Sequence, residues 1–223
     1  MQIKARDGLD LVALLSPPAS ASGKPWPLVL LPHGGPHSRD SNDFDVETEF
    51  LASRGVAVLQ VSFRGSAGYG HDLMSAGLKR WGLEMQDDLT DAVQWALSQG
   101  LADPKRLCIM GGSYGGYAAL VGVVKTPQLY RCAISLTGVT DLIDMAAYQC
   151  DYVGGIAAAR AQIGSSWSDR DQLRATSPAL NAEHIQVPVL PVHGSDDRVV
   201  PVEQSRDMAH ALGKAGRSEE HTF

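Results

Sequence analysis

Residues 107–125 read LCIMGGSYGGYAALVGVVK, and the fold follows from how that stretch divides. Residues 107–110 are a short apolar run after the polar Asp103-Pro104-Lys105-Arg106, the pattern of a buried strand. Residues 117–125 read as an apolar helix. Between them stands Gly111-Gly112-Ser113-Tyr114-Gly115, a G-x-S-x-G turn. A strand-to-helix turn this tight forces strained dihedrals on its central residue. It leaves room only for hydrogen at the flanking positions, hence Gly111 and Gly115. The turn lifts the Ser113 hydroxyl off the backbone and sets the Tyr114 amide at a helix N-terminus, where it can hold an oxyanion. A phosphate loop is excluded, because no Gly-Lys-Ser/Thr follows.

The alternation continues on both sides. Residues 27–32, 56–63, 132–136 and 187–192 are further apolar runs ending in glycine or polar residues. Helix patterns over 45–54, 87–98 and 202–214 are each followed by a glycine, Gly55, Gly100 and Gly216. This order predicts a three-layer α/β domain with a mostly parallel sheet flanked by helices. Pro188 and Pro191 weaken the last strand. Residues 142–174 read as helical excursions over the sheet edge, not as a second domain.

Composition narrows the class. With 223 residues, 44% hydrophobic and 20% charged, the chain suits one folded domain. Lys plus Arg number 19 and Asp plus Glu 25, a net charge of −6, with no basic stripe, which argues against a nucleic-acid partner. No run of ~18 apolar residues could span a membrane. The polar start, residues 1–10, does not read as a signal peptide, so a cytoplasmic location is expected. Cys108, Cys132 and Cys150 show no CxxC spacing. They are expected to be reduced, buried small hydrophobes, forming neither a disulfide nor a zinc site.

A nucleophilic serine needs a base and an orienting acid. With a G-x-S-x-G turn the chain order is serine, acid, histidine. The loop His193-Gly194-Ser195-Asp196-Asp197-Arg198 follows the last strand and offers either aspartate as the acid. His33-Gly34-Gly35-Pro36 follows the 27–32 run and suits a second oxyanion donor. His33 precedes the serine and reads as a structural hydrogen-bonding residue.

Together the motifs are specific. Asp7-Gly8, His33 to Pro36, Phe63-Arg64-Gly65-Ser66-Ala67-Gly68-Tyr69-Gly70, Trp81-Gly82 with Gln86-Asp87-Asp88, Gly111 to Tyr117, Ser177-Pro178 and His193 to Pro201 run in one order over residues 5–215. The chain resembles the catalytic domain of the prolyl oligopeptidase family of serine peptidases, in its acylaminoacyl-peptidase and dipeptidyl-peptidase-like branch. That resemblance implies an α/β-hydrolase fold, Ser113 as nucleophile, Asp197 rather than Asp196 as the acid, and the Gly35 and Tyr114 amides as the oxyanion hole. It implies short peptide substrates and no metal or cofactor. The 63–70 segment matches a structural loop and receives no role of its own. A carboxylesterase of the same fold, or an inert fragment, are the other readings.

The histidine is the weak member. His210 lies in the 202–214 helix pattern, where a surface position explains it. His221 stands in Glu219-Glu220-His221-Thr222-Phe223, similar to the family's Glu-Gly-His-Gly-Phe ending, and so takes the triad slot. In this fold a strand must separate the last helix from that histidine. A helix-to-strand loop takes ~2–6 residues and a strand ~5. Only Arg217, Ser218, Glu219 and Glu220 stand between Gly216 and His221, and they form strands poorly. Residues 217–222 also resemble a translated sequencing-library adapter. The expected organisation is therefore a catalytic domain over 1–216, its last strand missing, and a non-native tail over 217–223.

Overall fold

The computed structural model describes residues 1–20, 23–149 and 154–216. The elements, in order, are β1 (Gln2–Lys4), β2 (Asp10–Ser16), β3 (Trp26–Leu30), α1 (Val46–Ser53), β4 (Ala57–Ser62), α2 (His71–Ser75), α3 (Glu84–Ser98), β5 (Ala102–Gly112), α4 (Tyr114–Lys125), β6 (Cys132–Leu136), α5 (Leu142–Gln149), α6 (Gly155–Gln162), α7 (Arg170–Ala175), a 3₁₀ helix (Pro178–His184), β7 (Val189–Val192) and α8 (Glu203–Lys214).

The strands form one sheet in the order β1-β2-β4-β3-β5-β6-β7. Strands β3 to β7 are parallel, and β1 and β2 join antiparallel at one edge. The connection β3-α1-β4 steps one way along the sheet, whereas β4-α3-β5 and β5-α4-β6 step the other way. Right-handed crossovers in opposite directions put α1 on one face and α3 and α4 on the other, which gives the three layers. Asp45 starts α1 by accepting the Thr48 amide at 2.8 Å.

The predicted strands and helices are present, with shifted ends. Strand β5 begins at Ala102, upstream of the apolar run, because β3 pairs with it from Trp26 onward. The β1–β2 hairpin is not among the elements read from the sequence. Its strands are short and half exposed, and β2 pairs with β4 rather than with a sequence neighbour beyond β1.

The cysteine expectation is overturned. Cys108 of β5 and Cys132 of β6 form a disulfide, with Cα atoms 4.9 Å apart. Parallel register makes these two residues direct partners, on the face opposite the one that carries buried Leu107, Ile109 and Ala133. Side chains of direct partners project to the same side, within bridging reach. Twenty-four positions of sequence separation hide that adjacency. Cys150 lies outside the described residues.

Candidate active site

The elbow is built as its glycines require. Ser113 has φ 55° and ψ −118°, a conformation that L residues avoid, and it ends β5 and begins α4. A Cβ on Gly111 would lie 2.6 Å from the Gly115 carbonyl carbon, and one on Gly115 would collide with the Pro32 oxygen. The first helical bond runs from the Tyr117 amide to the Ser113 carbonyl at 3.0 Å, so the Tyr114 amide lies ahead of the helix's own bonding. The Ser113 amide donates to Leu136 at 2.9 Å and ties the elbow to the end of β6.

The loop carrying Gly35 leans on this elbow. A Cβ on Gly34 would lie 3.2 Å from the Gly112 oxygen and 3.5 Å from Ser113 Cβ. Gly35 has φ 120°, which favours glycine. The loop that carries one expected oxyanion donor thus packs on the Ser113 turn, which carries the other. His33 secures the loop. Its Nδ1 lies 2.7 Å from the Gly34 carbonyl, which can only accept, so Nδ1 carries the proton. Its Nε2 then accepts from Ser66 Oγ at 2.8 Å. Burial pushes the His33 pKa down, favouring the neutral ring that this pattern needs. The ring stacks on Phe63 at 4.4 Å, Phe63 stacks on Tyr114 at 5.2 Å, and Trp81 meets Tyr114 edge-on at 4.6 Å. One aromatic column therefore joins the His33 loop to the start of α4.

The 63–70 segment, given no role from sequence, is the support of that column. Arg64 is buried against Asp88 of α3. Its amide, Nε and Nη2 all donate to the carboxylate, at 2.9, 2.8 and 2.6 Å, and Nη2 also meets Asp7 at 2.9 Å. Burial pushes the Asp88 carboxyl up and the Arg64 hydrogen bonds pull it back, while Asp88 holds the guanidinium charged. The Ala67 amide donates to Ser38 at 2.8 Å and closes the loop onto the oxyanion segment.

Asp197, the acid expected from the sequence, is fixed by its own loop. Its Oδ1 accepts the Val199 and Val200 amides at 2.8 and 3.0 Å, which leaves Oδ2 for a base. Asp196 is exposed. Strand β6 lies between β5 and β7, so the serine and acid loops emerge roughly 10 Å apart, a span for two side chains and one imidazole. Among the described residues no histidine bonds to Ser113. His33 and His193 have both ring nitrogens engaged, and His210 is on the exposed side of α8. His221 lies outside the described residues. No cluster of His, Cys, Asp and Glu among the described residues is arranged for a metal ion.

A cavity of about 350 Å³ opens beside Gly34 and Gly112, walled by Asp40, Asp45 and Gln60. Burial, with the charge of Asp45, pushes the Asp40 carboxyl up to about 7. Below about pH 3 both folded and unfolded chains hold that proton. Between pH 4 and 7 the unfolded chain ionises first and folding loses stability, a loss complete above pH 7. Asp40→Asn should therefore stabilise the protein by about 2 kcal/mol at pH 8, read as a melting temperature roughly 4–6 °C higher. The gain should vanish at about pH 3, below both pKa values, and a gain independent of pH would contradict this account.

The strained serine between Gly111 and Gly115, the Gly34–Gly35 loop packed on it and the aspartate loop two strands away are where the sequence reading expects the parts of an acyl-transfer site. Residues 42–221 match the model of the prolyl oligopeptidase family. The chain belongs to the prolyl oligopeptidase family. It is 39% identical to dipeptidyl aminopeptidase BIII of Pseudoxanthomonas mexicana, covering 95% of this chain and 32% of that protein. It is 30% identical to the acylamino-acid-releasing enzyme of Mus musculus, covering 92% of this chain and 29% of that one. A puromycin-hydrolyzing peptidase of Mycobacterium tuberculosis superposes with a TM-score of 0.92 at 31% identity, over all of this chain and 34% of its own. Pyrococcus horikoshii acylaminoacyl peptidase superposes with a TM-score of 0.90 at 27% identity, over all of this chain and 36% of its own. The chain thus spans about a third of the length of these relatives. The family is one of serine peptidases, and the fold is the α/β-hydrolase fold.

Proposed function

We propose that the protein of which this chain is part hydrolyses short peptides through an acyl-enzyme on Ser113. The observation that carries this reading is the strained Ser113 elbow with the Gly34–Gly35 loop packed against it. Ser113 Oγ attacks the peptide carbonyl as a histidine takes its proton. The Gly35 and Tyr114 amides receive the oxyanion, and Asp197 Oδ2 orients and stabilises the imidazolium. The histidine then protonates the leaving amine, and water reverses the sequence to free the acyl group. Residues 1–216 are the catalytic domain in this reading and 217–223 a tail outside it, with His221 holding the triad slot only by its place in the motif. The negative net charge speaks against a nucleic-acid partner.

A fluorophosphonate probe tests the reading. Ser113 should be labelled in the wild type and labelling should vanish in Ser113→Ala. An aminoacyl-anilide and a short acyl ester, assayed side by side, separate peptidase from esterase. Absence of labelling in a folded sample favours a second reading, an inert fragment, whose specific support is that no described histidine bonds Ser113.

No helix among the described residues is long and apolar enough to cross a membrane. The cytoplasmic expectation rests on the polar residues 1–10, and reduced thiols are expected to accompany it. With Cys108 and Cys132 paired, an oxidising compartment fits the chain better. Protein purified without reductant should lack the two corresponding free thiols in a denaturing thiol titration. Finding all three cysteines free would restore the cytoplasmic reading.

A further inference from the structure

Two buried polar side chains in the first turn of α8, Gln204 and Ser205, have no place in the chemistry above. Ser205 Oγ lies 2.7 Å from His193 Nδ1, and His193 Nε2 lies 2.8 Å from the Val200 carbonyl. That carbonyl can only accept, so Nε2 carries the proton and Nδ1 accepts from Ser205. Residue 200 is thus held twice: its carbonyl by His193, its amide by Asp197 Oδ1. The ring also borders the acid, with Nε2 3.6 Å from Asp197 Oδ2.

Gln204 grips a different loop. Its Oε1 accepts the Thr140 and Asp141 amides at 2.7 and 2.8 Å, and Thr140 Oγ1 donates to the Gln204 carbonyl at 2.6 Å. That loop leaves β6 and leans on the start of α4: a Cβ on Gly138 would lie 2.8 Å from the Gly116 carbonyl carbon. One helical turn therefore holds the acid loop on one residue and, on the next, the loop that braces the serine elbow.

We propose that Gln204 and Ser205, with His193, are positioning residues that set the separation of Asp197 from Ser113. The proposal gives a function to the site read above as a peptidase, and rests on that reading for its catalytic consequence. A helical turn is rigid, so fixing both loops to it fixes them to each other. At the strand ends the Thr137 amide also donates to the Val192 carbonyl at 2.7 Å.

Hydrogen exchange read by segment, together with the rate of Ser113 phosphonylation by a fluorophosphonate, tests it on the full chain. Ser205→Ala should speed exchange of residues 194–200 about tenfold and leave 138–141 unchanged. Gln204→Met should do the converse. Each should slow phosphonylation about tenfold, and Ser205→Thr should restore both readouts. Unchanged exchange in 194–200 for Ser205→Ala overturns the proposal, as does uniform acceleration over the whole domain, which a merely structural role would give. If the wild type is not labelled at all, the peptidase reading fails, and the segmental exchange still decides the clamp.

Discussion

Asp88→Asn will destabilise the domain by about 3–5 kcal/mol, the largest stability effect of any single polar substitution we foresee. The Asp88 side chain has no exposed surface and Arg64 keeps only 9% of its own. Three hydrogen bonds from Arg64 end on this carboxylate. The asparagine cannot neutralise the guanidinium, and one of its two terminal groups is a donor facing donors. Asp7 remains as a partner, but it is half exposed and solvent screens it. An uncompensated buried charge then sets the cost, against a total stability of roughly 5–15 kcal/mol for a domain. Thermal unfolding at pH 7 should show a melting temperature lower by roughly 10 °C. Arg64→Met combined with Asp88→Leu should recover more than half of the loss, because removing both charges leaves no buried charge unpaired and only the residue-64 amide loses its acceptor. A single-variant loss below ~1 kcal/mol would mean that water reaches the pair and would refute the account.

Among residues that do not touch the reacting atoms, the largest effect on turnover is expected from His33→Ala, a loss of about 10²–10³ in the phosphonylation rate of Ser113, as for removal of one oxyanion donor. His33 does not touch the reacting atoms. It pins the Gly34 carbonyl through Nδ1–H and spans from there to Ser66 and Phe63. Alanine frees the carbonyl, and the adjacent Gly35 amide loses its aim at the position where the oxyanion forms. Ser66→Ala should give a smaller loss, since the Nδ1–H bond survives. Folding should persist in both variants, as judged by circular dichroism and a cooperative melt. A loss under tenfold for His33→Ala, in a sample that melts cooperatively, would show that the Gly35 amide is held without it.

The elbow was legible because its information is local. Gly111, Ser113 and Gly115 lie within one turn, and the steric demand that selects them acts between neighbours in the chain. The alternating apolar runs likewise announced the parallel sheet, since burial on both faces leaves its mark on each strand separately. Asp197 needed more: the loop at 193–201 offered two carboxylates, and only the fold places Asp197 Oδ1 on two amides while Asp196 faces solvent. The motif at 63–70 was visible as a motif, but its purpose depends on Asp88, a full helix away in sequence.

What the amino-acid sequence determined by itself is the α/β class and the strand-to-helix turn that carries Ser113, the proposed nucleophile. What only the tertiary structure decided is pairing: Cys108 with Cys132, Arg64 with Asp88, His33 with Ser66, and His193 with Ser205. Each pair joins residues from separate elements or loops, so it depends on sheet register, crossover hand and helix docking. Those are set by the packing of the whole domain, and no stretch of chain carries them alone.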